Sequence, residues 1–147
     1  MKPIKKQSLT IHPISTDTKV SLQFVGGIKA GFPSPAQDYM GDTIDLNKLL
    51  IKNKASTFLA RVDGDSLILK NIGNNDLLIV DKSLEAHDGS ILVCFIDGEF
   101  TTKTVRIVSK DEILLVPENP EFPVIRVTEE NQFIIWGVVT YSIKKHI

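Results

Sequence analysis

Ser66, in the run Val62-Asp63-Gly64-Asp65-Ser66-Leu67, stands on a tight glycine turn where a serine can serve two ends. Gly, Asp and Ser are ordinary turn and cap residues, so Leu67-Ile68-Leu69 reads as one helical turn capped by Asp65 or Ser66. The same turn can present the Ser66 hydroxyl as a nucleophile if a base stands beside it. The histidines offer little for that task. His12, His87 and His146 lie in a polar arm, in the turn Glu85-Ala86-His87-Asp88-Gly89 and next to the last residue, and none has metal-ligand spacing to another. Only His87 could complete a Ser-His-Asp triad. The carboxylates are scattered over turns and strand ends with no glycosidase-like pairing. Gly26-Gly27 is not followed by the Gly-Lys-Ser/Thr of a phosphate-binding loop, so no cofactor or metal is expected.

The other way to activate a serine is a neutral lysine. Lys103 lies mid-strand in Phe100-Thr101-Thr102-Lys103-Thr104-Val105 and by alternation shares a face with Thr101 and Val105. A strand lysine commonly points to water. Chemistry requires Lys103 buried beside Ser66 instead. An unperturbed lysine with a pKa of about 10.4 is only ~0.04% neutral at pH 7. Burial can lower that pKa by about 3–5 units.

These two residues need a frame of strands. Thr57 to Val62 alternates like a strand running into the Ser66 turn; Gly73-Asn74-Asn75 is a turn; Asp76 to Asp81 is a buried strand. Ser90 to Ile96 and Glu99 to Ile107 flank Asp97-Gly98, which suits a type I′ hairpin turn. Ile113 to Val116, a piece near Val124 to Val127, and Phe133 to Ile143 supply further strands. Asp45 to Ile51 reads as a short helix capped by Asp45. The expectation is a mostly β, compact barrel or sandwich-like domain with one or two short helices. Residues 1 to about 23, with Pro3 and Pro13, suit an extended arm adding short strands. From Leu22 to Gly31 and through Phe32-Pro33-Ser34-Pro35 the chain is glycine-hinged and extended, the form in which a peptide bond is open to a protease.

With 147 residues the chain suits one domain with a real core. A net charge of −1 gives no global field to gather nucleic acid or anionic membrane. Cys94, the single cysteine, excludes an internal disulfide, and its apolar neighbours in Ile91-Leu92-Val93-Cys94-Phe95-Ile96 point to a buried inert thiol. No apolar run approaches membrane-spanning length and no signal-peptide h-region follows the N-terminal lysines, so a cytoplasmic protein is expected.

The ordered motifs resemble the UmuD/LexA family of self-cleaving SOS proteins, and its UmuD branch more than its repressors. Gly31-Phe32-Pro33-Ser34-Pro35-Ala36 with Asp38-Tyr39 looks like the segment after the family's cleavage site, and Ile44-Asp45-Leu46-Asn47 with Leu49-Leu50-Ile51 like the next helix. Gly64-Asp65-Ser66 matches the nucleophile motif, and Asp97-Gly98-Glu99-Phe100-Thr101 leads into Lys103 at the position of the general base. Pro117-Glu118-Asn119-Pro120 and Trp136-Gly137-Val138-Val139 resemble the closing segments. Departures are Ala30 where UmuD proteins usually have cysteine, Leu67 where methionine is common, and Asn74-Asn75 in a turn usually written with Asp and Gly.

The resemblance implies a LexA/UmuD-type β domain at 31–147 behind an arm at 1–30, with the scissile bond at Ala30-Gly31. It also implies Ser66 as nucleophile, Lys103 as general base, and the backbone of Asp65 and Ser66 as the oxyanion hole. The implied partners are a second copy in a homodimer, a RecA–single-stranded-DNA filament and a UmuC-type Y-family translesion polymerase. Thirty residues interrupted by Pro3 and Pro13 do not suit a helix-turn-helix, so sequence-specific DNA binding is not expected. Two other readings stand beside this one: a non-catalytic β interaction module, with Ser66 a cap and Lys103 on the surface, and a repressor-type family member lacking its DNA-binding domain.

Overall fold

The computed structural model describes residues 8–16, 21–25 and 40–147. Ten strands are present among them: β1 (Ser8–Pro13), β2 (Ser21–Val25), β3 (Met40–Asp45), β4 (Thr57–Asp63), β5 (Leu77–Asp81), β6 (Ile91–Ile96), β7 (Glu99–Ser109), β8 (Glu112–Val116), β9 (Ile125–Val127) and β10 (Phe133–Ile143). The mostly β expectation holds, and β4 to β10 fall where alternation and turn residues put them, whereas β3, just ahead of the helix, was not foreseen as a strand. One short helix, α1 (Leu46–Leu50), follows Asp45, whose Oδ1 accepts from the Asn47 N–H at 3.0 Å as an N-cap should. A 3-10 turn at Lys54–Ser56 was not foreseen.

Eight strands form one antiparallel sheet in the order β1-β4-β5-β10-β6-β7-β8-β9, while β2 and β3 pair separately. The arm is thus part of the sheet: β1 runs antiparallel to β4 from Ser8 opposite Asp63 to Pro13 opposite Phe58. The β6–β7 hairpin turns on Asp97 and Gly98 with φ of 46° and 90°, the paired positive values a type I′ turn demands. Three strands, β5, β10 and β6, separate β4 from β7 in the sheet, yet β1 also touches β7. The sheet therefore curls back on itself, and the curl brings the end of β4 toward the middle of β7.

Inside the curl, Ala60, Val62, Leu67, Ile72, Leu78, Val80 and Val93 form one buried cluster, with Leu9 and Ile11 of β1 packed against it. Two smaller clusters centre on Leu92, Val105 and Val138, and on Cys94, Ile96 and Leu115. Cys94 is fully buried, and burial pushes its thiol up to about 11, which leaves it inert as expected.

Strand β10 bridges β5 and β6, and its register shifts on both sides. Gly137 lies at one of these shifts. A Cβ there would stand 2.6 Å from Val80 Cγ1 and 3.4 Å from the Asp81 carbonyl oxygen, so neither neighbour can simply swing away. Gly137→Ala is therefore expected to lower stability by about 1–3 kcal/mol through overpacking. A chemical-denaturation midpoint that does not move would contradict this account of the β5–β10 contact.

Candidate active site

Ser66 lies three residues past Asp63, the end of β4. Gly64, at φ 114°, turns the chain in a conformation that side chains resist. Its N–H donates to Asn74 Oδ1 at 2.9 Å, so the 73–76 turn holds the start of the serine turn. Asn74 replaces the family's usual residue at this place without loss of the acceptor. That second turn is itself fixed: Asp76 Oδ2 accepts from the Gly73 N–H at 2.9 Å and from Lys144. Burial raises the Asp76 carboxyl, but the Lys144 and Gly73 hydrogen bonds outweigh it and hold Asp76 below its ordinary range. Leu67, next to Ser66, is fully buried in the largest core cluster, which suits leucine as well as methionine.

A 3-10 turn, Ile68–Lys70, follows Leu67. The side-chain cap expected from Asp65 or Ser66 is absent. Leu67 holds the cap position without a side-chain bond, and the Asp65 main-chain oxygen accepts from the Ile68 N–H at 3.2 Å. The Ser66 hydroxyl is directed elsewhere.

It is directed at Lys103. Ser66 is 0% exposed and Lys103 4% exposed, so the lysine is not the surface residue that a strand lysine usually is. Lys103 Nζ donates to Thr101 Oγ1 at 2.9 Å, to the Thr102 carbonyl at 3.2 Å and to Ser66 Oγ at 3.3 Å. The Ser66 hydroxyl also faces the Thr102 carbonyl, at 3.4 Å. Thr101, predicted to share the lysine's face, does so and supplies the shortest of these bonds. The ring of Phe122 lies 5.7 Å from Nζ and covers one side of the amine.

Burial draws Lys103 down from 10.5 to about 8. A thiolate at Cys94 would oppose this, but that thiol stays protonated until about 11 and is neutral where the lysine titrates. The Phe122 ring favours the ammonium by about 0.5–2 kcal/mol, less than the desolvation of a buried amine. Desolvation wins. At pH 7 roughly one lysine in ten is then neutral, over a hundredfold more than in water. Such an amine can accept a proton from a hydroxyl in hydrogen-bond reach.

The remaining predicted residues fall in different places. His87 is exposed on the turn before β6, and its N–H donates to Ser90 Oγ. Ala30 and Gly31 lie outside the described residues. Among the described residues no three His, Cys, Asp or Glu side chains gather in a way that could hold a metal ion. Sequence reading missed Asn119, whose Nδ2 donates to the Asp65 carbonyl at 2.9 Å, and the covering Phe122.

The peptidase S24-like family profile matches residues 23–140, which include both Ser66 and Lys103. The chain belongs to the peptidase S24-like family. It is 41% identical over 120 residues to protein MucA of Salmonella typhimurium, covering 81% of each chain. With protein ImpA of Shigella flexneri it shares 37% over 133 residues, 90% of each. The LexA repressor of Stenotrophomonas maltophilia is 35% identical over 127 residues, which are 86% of this chain and 59% of the repressor. Membership of this serine-peptidase family and UmuD-like relatives bear out the resemblance that the motifs carried.

A buried ammonium is a standing cost to the fold. Below pH 8 the lysine is charged in folded and unfolded chains alike, and the folded chain bears the full desolvation penalty. The penalty shrinks as pH rises from about 8 and is gone above 10.5, where both states are neutral. Lys103→Met, similar in volume and uncharged, is expected to stabilise the protein by about 2–3 kcal/mol at pH 7. The gain should fade by about pH 10.5. Denaturation curves of both proteins at the two pH values test this; equal stability at pH 7 would show that the amine is not desolvated.

Proposed function

We propose that Ser66 and Lys103 are a nucleophile and general base that cleave the chain's own Ala30–Gly31 bond, separating 1–30 from 31–147. The observation that carries this reading is a buried lysine, drawn to about 8, with its Nζ 3.3 Å from the Ser66 hydroxyl. A neutral amine has two N–H groups and one lone pair. Thr101 Oγ1 and the Thr102 carbonyl are acceptors for the N–H groups, and the Ser66 hydroxyl is the partner for the lone pair.

In the first step Lys103 Nζ takes the Ser66 proton as Oγ bonds to the Ala30 carbonyl carbon. The N–H groups of Asp65 and Ser66 stabilise the resulting oxyanion. The C–N bond then breaks, and Lys103 returns the proton to the Gly31 nitrogen. Water, deprotonated by the same amine, hydrolyses the Ser66 ester and frees the Ala30 carboxylate. Because substrate and enzyme are one chain, effective concentration is high and restraint must come from how seldom the cleavage segment docks. The sequence feature that motivates this is the glycine pair Gly26-Gly27 ahead of Ala30-Gly31.

The UmuD-like relatives support a place for the chain among SOS mutagenesis proteins, and this reading sets the reaction there. In this reading a RecA–single-stranded-DNA filament stabilises the docked segment. The trimmed chain, as a homodimer, then serves a UmuC-type Y-family translesion polymerase in the cytoplasm. No helix among the described residues is long and apolar enough to cross a membrane.

The test is a pH series on the purified chain without partners, with fragments weighed by mass spectrometry. The first-order rate should rise about tenfold per unit up to a midpoint near 8 and flatten above it. Ser66→Ala and Lys103→Ala should each stay intact. A wild-type chain that survives pH 10, or cleavage that persists in both variants, would return the protein to the class of non-catalytic β modules.

A further inference from the structure

The Asp65–Ser66 peptide is pinned from outside its own turn. Gly64, at φ 114°, gives the turn unusual freedom, so something must fix the Asp65–Ser66 peptide plane within it. Its carbonyl, on Asp65, accepts two hydrogen bonds: from the Ile68 N–H at 3.2 Å and from Asn119 Nδ2 at 2.9 Å. The Asn119 amide cannot turn over, because its Oδ1 accepts from the Glu121 N–H at 2.9 Å. Asn119 is buried, and its segment is docked by the Leu69 N–H donating to the Glu118 carbonyl at 2.9 Å. Pro117 and Pro120 flank the pair and restrict their backbone.

A trans peptide carries its C=O and N–H in opposite directions, and none of the described peptide bonds is cis. Fixing the Asp65 oxygen therefore fixes the direction of the Ser66 N–H. Two donors on that oxygen also polarise the peptide and make its N–H a better donor.

We infer that Asn119 is a positioning residue: it holds the Asp65–Ser66 peptide so that the Ser66 N–H meets the oxyanion formed from the scissile carbonyl. This rests on the self-cleavage reading above. Asn119 touches neither substrate nor Lys103 in this role; it acts through one backbone plane. Without it, the Asp65 oxygen keeps only the longer Ile68 bond, the plane rocks, and transition-state charge is less well met. The reaction then slows while the lysine's titration stays where it was.

The experiment follows the pH dependence of self-cleavage in the full chain for wild type, Asn119→Ala and Asn119→Asp. The aspartate variant is nearly isosteric and keeps an acceptor for Glu121, but it turns an oxygen toward the Asp65 carbonyl. Both variants should lower the plateau rate about tenfold to a hundredfold, less than or equal to the loss of an oxyanion donor itself. Both should keep the midpoint near 8 and remain folded. A plateau equal to wild type overturns the assignment. So does a midpoint moved toward 10.5, or unfolding of both variants, since either marks a purely structural residue whose loss rehydrates Lys103. A wild-type chain that stays intact at every pH fails for a different reason and overturns the Ser66–Lys103 reading first.

Discussion

Removing the Lys103 amine from water is the constraint on which the site depends. In water the amine is a cation and the Ser66 hydroxyl beside it is inert. Inside the curl, with Phe122 over it and Thr101 and Thr102 as its neighbours, the same amine loses much of its preference for the proton. The proposed chemistry draws on a low-dielectric place and on hydrogen bonds that suit the neutral form. The cost is borne by the fold, which must be stable enough to carry an ionisable group among apolar strands.

The architecture answers that demand by convergence. β4 and β7 are not neighbours in the sheet, so no local sequence signal brings Ser66 to Lys103; the curl does. Two separate segments and the core then brace the serine turn. Asn74 takes the Gly64 N–H, Leu67 is sunk in the core, and the 117–121 segment grips the Asp65 carbonyl. Asp76 and Lys144 in turn hold the first of these braces. A serine on a glycine turn would otherwise be among the less fixed residues of the chain.

Much of this was legible in the sequence, for physical reasons that differ by element. The Asp97-Gly98 hairpin was readable because a type I′ turn has few compatible residues, and α1 because Asp45 is a strong cap. Ser66 and Lys103 could be named, since motif order carries residue type. Their burial could not be read from alternation alone: the pattern puts Lys103 with Thr101 and Val105 without saying whether that face is wet. Asn119 was quoted only as part of a closing motif, because its partner lies far away in sequence and a single asparagine has no periodic signal. The side-chain cap expected of Asp65 or Ser66 failed for a related reason. Tertiary partners claimed the Ser66 hydroxyl and the Asp65 carbonyl, and the 3-10 turn formed without a side-chain cap.

The placement of β1 has a consequence for what a cut at residue 30 accomplishes. Six residues of the arm are laddered along β4 up to Asp63, and Leu9 and Ile11 pack on the cluster that contains Leu67. The proposed hydrolysis would sever the covalent tether but leave that ladder whole. The immediate product of the proposed cut would be a nicked two-piece complex, and departure of the arm a separate event with its own free energy and its own rate. The interval between the two would be a timer set by β-sheet pairing, distinct from the trigger that the proposal assigns to a serine and a lysine.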